Sequence, residues 1–147
     1  VEAPFTFTLG PVAFNGVIDR VHRRPDGSLE VVDYKTDWTV RTPEQVREGM
    51  QLQIYLLALK YAFPDLQTAP ARAAMYFLRW NKRVELEFSD ADLAAAEQRL
   101  IAYAEQMKSI PPDLHRASPE TCRLCEYRLS CRFSQAAAQE LVARSGS

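Results

Sequence analysis

The chain has 147 residues, which corresponds to one compact domain of ordinary size. With 47% hydrophobic and 25% charged residues, it has the composition of a globular protein with a packed core, which excludes a disordered or fibrous chain. The net charge of -1 provides no overall attraction for nucleic acid, so a nucleic-acid partner requires local basic patches or bound metal ions.

The sequence contains neither a run of about 18 apolar residues nor a signal-peptide pattern, which indicates a cytoplasmic protein. It begins with Val1 rather than methionine and continues almost directly into a strand-like stretch. We therefore expect residues 1–147 to form a single domain, truncated at its N-terminus and taken from the C-terminal part of a larger protein.

The first 36 residues have the pattern of β-strands. Residues Phe5–Leu9 alternate apolar and polar side chains, and a second β-rich run extends from Val12 to Val21. A turn signal at Pro25–Ser28 separates that run from a third one over Leu29–Lys35. This order predicts a meander in which the second and third strands are antiparallel.

Capping-box patterns, which mark helix starts, follow at Thr42–Gln45 and Ser89–Asp92. In each, a Ser or Thr comes three positions before a second side chain that can cap the helix. The remaining predicted elements are a helix over 43–62, strands over 73–80 and 84–88, a helix from the second cap to Ile110, and an Ala-rich helix over about 134–143. The order βββ, α, ββ, α indicates an α/β domain with a mixed sheet flanked by helices.

The most informative polar residues are Asp33 and Lys35, which are two apart on one predicted strand and therefore leave the same face. Antiparallel pairing across the turn brings Asp19, near the middle of the preceding strand, close to Asp33. Two carboxylates in apolar surroundings must take up a proton or bind a metal, and an all-oxygen site suits Mg²⁺. In the alternative interpretation, Asp33 and Lys35 form a surface ion pair and Asp19 pairs with Arg20 or Arg23.

Three segments have a linked order and spacing: Gly16–Val21 (GVIDRV), Asp33–Thr36 (DYKT) and Gln51–Tyr55 (QLQIY). Together they resemble the RecB-like nuclease domain of the PD-(D/E)XK superfamily, over about residues 2 to 133. The resemblance implies a restriction-endonuclease-like fold, in which a mixed β-sheet is flanked by helices, followed here by a C-terminal cysteine segment.

The resemblance also implies roles for individual residues. Asp19 and Asp33 would ligate Mg²⁺ or Mn²⁺ with help from the backbone carbonyl of Tyr34, and Lys35 would orient or activate the attacking water. Gln51 and Tyr55, four residues apart on one helix face, would lie beside the metal centre and the nucleic acid strand. A buried tyrosine in a helix is also an ordinary core residue, so that interpretation of Tyr55 stays open.

This chain departs from the family pattern at its N-terminus. RecB-like nucleases usually carry a further metal ligand, a His or Glu, on a helix upstream of the first strand, and the sequence begins after that point. Glu2 is near the predicted sheet edge, where a structural role is the simpler interpretation.

Cys122 and Cys125, followed by Cys131, are spaced so that one turn and a short helix can wrap a soft metal. They resemble the C-terminal part of the cysteine pattern in AddB-type and related CRISPR-associated nuclease domains. That resemblance implies a [4Fe-4S] cluster in the full-length protein, with a fourth cysteine far upstream. Zinc with His115 as the fourth ligand, or reduced cysteines packed as small hydrophobes, are the alternatives.

Two local groups of basic residues could contact a phosphate backbone, with Trp80 or Tyr127 available for base stacking, although such charges also occur on ordinary solvated surfaces. The groups are Arg79, Lys82 and Arg83, and Lys108, Arg116, Arg123, Arg128 and Arg132.

We therefore predict a Mg²⁺-dependent deoxyribonuclease, an exonuclease of DNA repair or recombination that binds DNA and works with a helicase domain or subunit. The alternative is a non-catalytic nuclease-like module that binds DNA or braces a helicase. A weaker third interpretation is a small metal-thiolate interaction domain, in which loss of Cys122 unfolds the protein whereas Asp33→Ala has no effect.

Overall fold

The computed structural model describes residues 2–66, 71–109, 122–123, 125–128, 130–131 and 134. The chain divides into two compact units, residues 1–106 and 107–147. Within the described ranges the elements are β1 (Ala3–Leu9), β2 (Val12–Ile18), β3 (Arg20–Arg23), β4 (Leu29–Lys35), α1 (Pro43–Glu48), α2 (Gln51–Ala62), β5 (Ala71–Phe77), β6 (Lys82–Leu86) and α3 (Asp90–Ser109). No helix in these ranges has the length and apolar character needed to cross a membrane.

Four strands form a mixed sheet in the order β3-β4-β5-β6. β4 is antiparallel to β3 and parallel to β5, and β6 is antiparallel to β5. The connection from β4 to β5 contains α1 and α2, as a parallel pair requires a crossover. Five consecutive residues of β4 are buried, as expected for a central strand covered on both faces.

The core of the first unit lies between this sheet, α2 and the separate hairpin of β1 and β2. Leu52 and Leu57 of α2 are fully buried, and so are Val31 and Phe77 of the sheet. α3 packs beside α2, where Arg99 donates a hydrogen bond of 2.7 Å to Gln53. The mixed α/β architecture predicted from the element order is confirmed.

The predicted meander is wrong in one respect, because the run from Val12 to Val21 is not one strand. The chain bends at Asp19, and the residues before and after it belong to different sheets. The Asp19 carboxylate accepts the backbone N–H of Tyr34, so a side chain takes the place of a backbone acceptor there. After the bend, β3 pairs antiparallel with β4 as predicted, and Arg20 lies opposite Val32.

The predicted helix over 43–62 is also divided. The capping box of Thr42 and Gln45 is present, but α1 ends at Glu48 and α2 begins at Gln51. Gly49, at the C-cap of α1, has an extended backbone, and glycine is a poor helix former. The break places Gln51 in the first turn of α2, which becomes important for the site.

The second pair of predicted strands is shifted along the sequence. β5 ends at Phe77, and residues 78–80 form a 3-10 turn rather than strand. Asn81 follows with a left-handed backbone at φ 47°, a conformation that asparagine tolerates, and β6 begins directly after it. The Ser89–Asp92 capping box at the start of α3 is confirmed. The Ala-rich helix predicted over 134–143 lies largely outside the described residues.

On β4, Glu30 is a carboxylate only 2% exposed, and three basic side chains surround it. His22 and Arg24 approach to 2.9 and 3.0 Å, and Arg83 also pairs with it. Burial by itself raises the pKa of Glu30, but the hydrogen bond and charge of Arg83, with the charges of His22 and Arg24, outweigh it. The pKa therefore lies below its ordinary value of 4.5.

Because its pKa is lowered by folding, ionised Glu30 stabilises the protein above its unfolded pKa, and this contribution is lost as pH falls through the folded pKa. We expect Glu30→Gln to lower the free energy of unfolding by about 2 kcal/mol at neutral pH, since it removes the buried anion that Arg24 and Arg83 share. Urea unfolding should show the difference shrinking below about pH 4. Glu87→Gln, which removes an exposed partner of Arg72, is the control and should cost less than about 0.5 kcal/mol. A Glu30 deficit that stays constant with pH would contradict this account.

Candidate active site

Asp33 and Lys35 lie on the face of β4 that points toward α2. Asp33 is 1% exposed, and the Lys35 side chain is 19% exposed. The Lys35 Nζ atom is 2.8 Å from Asp33 Oδ2. The two groups thus form an ion pair at the end of a buried strand, and the surface ion pair of the alternative interpretation does not describe them.

Gln51 connects the lysine to the aspartate. Its amide oxygen accepts a 2.8 Å hydrogen bond from Lys35 Nζ, and its amide nitrogen donates a 2.7 Å bond to Asp33 Oδ1. The same nitrogen lies 3.1 Å from the Tyr55 hydroxyl. One amide therefore fixes the position of both charged groups, and the first turn of α2 is what brings it there.

Tyr55 belongs to the core and to the polar cluster at once. Its ring packs edge-on against Phe5 with 6.2 Å between ring centroids, while its hydroxyl donates a 3.4 Å hydrogen bond to Asp33 Oδ1. Burial raises the pKa of Tyr55, so the hydroxyl keeps its proton and remains a donor. Tyr55 is therefore a core residue whose hydroxyl also contacts Asp33, and its place beside a metal centre and a nucleic acid strand stays a prediction.

Asp19 lies at the bend between β2 and β3, opposite Asp33 by continuation of the β3–β4 register. Its Oδ2 atom accepts a 2.8 Å hydrogen bond from the backbone N–H of Tyr34. No ion pair joins Asp19 to Arg20 or Arg23 among the described residues. Arg20 instead donates to the Tyr34 hydroxyl, and Arg23 to a backbone carbonyl.

The pKa of Asp33 lies above its ordinary value. Burial is the largest cause, and the neighbouring charge of Asp19 adds to it, while the hydrogen bond and charge of Lys35 act in the opposite direction. Burial therefore makes the ionised form of Asp33 less stable than it is in water, and a cation bound beside the carboxylate would stabilise that form.

The donor set fits a small hard cation. Asp33 Oδ2 is buried, and its polar contact among the described residues is the Lys35 ammonium 2.8 Å away. Those residues hold no group of three or more His, Cys, Asp or Glu side chains placed around one metal position. Asp19 and Asp33 lie opposite each other and offer two carboxylates, a set that suits Mg²⁺ because that ion keeps several of its waters.

The cysteine segment belongs to the second unit, residues 107–147. Cys122, Cys125 and Cys131 are free thiols, with Cys122 buried, and successive turn hydrogen bonds run through the segment. In the described part of the chain the three thiols do not form a shared metal-ligand group. Cluster binding remains a prediction, and His115, the proposed zinc ligand, lies outside the described residues. Glu2 is exposed at the start of the described chain.

Two of the basic residues near Trp80 contact other groups in the structure. The guanidinium of Arg79 lies over the ring of Trp38, 3.7 Å from its centroid, rather than over Trp80. Arg83 forms ion pairs with Glu30 and Glu85. Sequence analysis did not single out Trp38, although a tryptophan three residues after Lys35 was a signal available to it. In the second unit Tyr127 is exposed, and Arg116 and Arg132 are not described.

The model of the PD-(D/E)XK nuclease superfamily matches residues 1–132. The chain belongs to this superfamily, and its mixed sheet with flanking helices is consistent with the restriction-endonuclease-like fold. Family membership makes nuclease activity the expected class of function.

Structural comparison supports the fold. The solved structure titled "Crystal structure of SSO0001" matches with a TM-score of 0.50 and 21% sequence identity, and the match covers 91% of this chain and 59% of that chain. This chain therefore spans well under two thirds of the length of that solved chain. No curated protein matches the sequence.

Proposed function

We propose that this chain is the nuclease domain of a metal-dependent deoxyribonuclease that hydrolyses phosphodiester bonds as an exonuclease. The observation that carries the proposal is a buried carboxylate, Asp33, that lies 2.8 Å from the Lys35 ammonium and opposite a second carboxylate, Asp19. A non-catalytic scaffold gains little from such a buried charged group, which is costly to maintain.

Asp19 and Asp33, with the Tyr34 carbonyl, are the residues that would hold Mg²⁺ or Mn²⁺. The ion, when bound, polarises a phosphoryl oxygen and makes bound water a better nucleophile. Lys35 presents a fixed positive charge to the phosphate and orients the attacking water, and this offsets the negative charge that develops in the transition state. Gln51 keeps the Lys35 ammonium in place, and Tyr55 holds Asp33 from the core side.

Several finer parts of the proposal rest on the sequence resemblance. They are membership of the RecB-like or AddB-like group and a role in DNA repair or recombination beside a helicase domain or subunit. A [4Fe-4S] cluster held by Cys122, Cys125 and Cys131 in the full-length protein belongs to the same set. A cytoplasmic location is proposed because three closely spaced free cysteines suit a reducing compartment. The organisation of residues 1–147 as a single domain rests on chain length, and their place in the C-terminal part of a larger protein is proposed with it.

Linear and covalently closed circular DNA, incubated with the protein and Mg²⁺ or Mn²⁺, test the mode of action. An exonuclease degrades single- or double-stranded linear DNA and leaves the closed circle intact. Nicking or linearisation of the circle would overturn the exonuclease assignment and leave the nuclease assignment standing. Binding of DNA without cleavage of any substrate would instead favour the non-catalytic module.

A further inference from the structure

A large aromatic side chain is exposed close to the candidate active site. Trp38 is 74% exposed, on the loop that leaves β4. The Arg79 guanidinium, from the 3-10 turn after β5, lies against its ring at 3.7 Å from the centroid. We call this pair the Trp38 platform.

The sheet register places the Trp38 platform at the same end of the sheet as Lys35. β4 and β5 are parallel, and Lys35 pairs with Phe77. Trp38 is three residues beyond Lys35, and Arg79 is two residues beyond Phe77. Three residues of chain span at most about 11 Å, so the backbone of Trp38 lies within that distance of the Lys35 backbone.

Two basic side chains on the Trp38 side of the sheet, Arg79 and Lys82, have no ion-pair partner among the described residues. Lys82 pairs with Phe77 in the sheet, which puts it in the same cross-strand row as Lys35 and about 10 Å away across two strand spacings. A groove of about 360 Å³ begins beside this row and includes Arg41 and Lys82 in its lining.

We propose that the Trp38 platform stacks an unpaired base of the DNA strand whose phosphate lies at Lys35, which makes single-stranded DNA or a frayed strand end the preferred substrate. One face of the ring is supported by Arg79, which leaves the other face for a base. Arg79 and Lys82 contact the neighbouring phosphates. This inference rests on the proposed nuclease function and adds its substrate class.

The chemistry favours an unpaired base over a duplex. Stacking on an aromatic ring requires a base face that is not already covered by its neighbour, and bases in a duplex have both faces covered. A ring with a cation beside it also matches a ligand that alternates flat bases with phosphate charges. The groove lining combines apolar side chains with the cations Arg41 and Lys82, which suit a phosphate chain.

The two tryptophans of the chain, Trp38 and Trp80, allow a direct optical test. In Trp80→Phe, Trp38 is the only tryptophan, and titration with oligothymidylate in EDTA should quench its fluorescence. In Trp38→Phe, the remaining Trp80 should show little quenching over the same titration. The reverse pattern, or binding with no quenching in either variant, would overturn the assignment of Trp38.

Affinity measurements separate stacking from charge. We expect Trp38→Ala to weaken binding of labelled oligothymidylate in EDTA by about tenfold, and Trp38→Tyr to restore most of it. Binding of an abasic strand of equal length should be unchanged in Trp38→Ala, because that strand has phosphates and no bases. Trp80→Ala is the matched control and should bind like the wild type.

The results distinguish failure of the Trp38 platform from failure of the proposed nuclease function. If the wild type cleaves DNA while Trp38→Ala binds oligothymidylate as tightly as the wild type, the platform proposal fails alone. If the wild type neither binds nor cleaves DNA, both proposals fail. A loss for the abasic strand equal to the loss for oligothymidylate would overturn base stacking.

Discussion

Lys35→Ala is expected to slow DNA cleavage by about 10²- to 10⁴-fold while the protein stays folded. The ammonium is held by Asp33 and Gln51 at the end of β4, and no other lysine or arginine contacts either of these side chains among the described residues. Its loss removes the fixed cation beside the phosphate. Single-turnover cleavage of an end-labelled strand measures the effect, and circular dichroism verifies the fold.

Lys60→Ala is the matched control for that experiment. Lys60 is exposed on α2 and pairs with Glu97 on α3, away from the carboxylates. The control should cleave DNA at the wild-type rate. A Lys35→Ala protein that is folded and retains wild-type activity would contradict the catalytic role given to Lys35.

Asp33→Asn is expected to abolish both cleavage and stabilisation of the protein by Mg²⁺ or Mn²⁺. The substitution keeps the size of the side chain but removes the charge that would hold the ion. For the wild type, metal at about 100 times its dissociation constant adds about 2.7 kcal/mol of stability, which raises the melting temperature by several degrees. Thermal melts with metal and with EDTA measure this difference.

In contrast to Asp33→Asn, the Lys35→Ala protein should retain the metal-dependent rise in melting temperature, because it keeps both carboxylates. Asp65→Asn changes an exposed aspartate that follows α2 and serves as the control for the loss of charge. It should behave like the wild type in both assays. A metal-induced shift of wild-type size in Asp33→Asn would show that the ion binds elsewhere.

Much of the site followed from local patterns in the sequence. Period-two spacing put Asp33 and Lys35 on one face, and a turn between two β-rich runs brought Asp19 opposite Asp33. The four-residue spacing of Gln51 and Tyr55 put both side chains on one helix face, and the family resemblance implied that this face lies beside the carboxylates; in the structure both side chains contact Asp33. The first two relations depend on residues close in sequence or on one turn, so periodicity and turn signals suffice to predict them.

The contact between Arg79 and Trp38 was not predicted, because it depends on pairing between distant segments. Arg79 reaches Trp38 because β4 and β5 are parallel neighbours, and no local pattern specifies which strands become neighbours. The sheet change at Asp19 was missed because β-forming residues resume directly after it, and a single aspartate does not mark the end of a strand. The break at Gly49 was missed because a single glycine is tolerated within many helices.

Cleavage of single- and double-stranded DNA by the wild-type chain, with Mg²⁺ or Mn²⁺ and with EDTA, tests the central claim most directly. The claim is that the cluster of Asp19, Asp33 and Lys35 hydrolyses phosphodiester bonds with a metal ion. The account predicts hydrolysis with either metal and none in EDTA. Cleavage that persists in EDTA, or its absence under every condition, would contradict it.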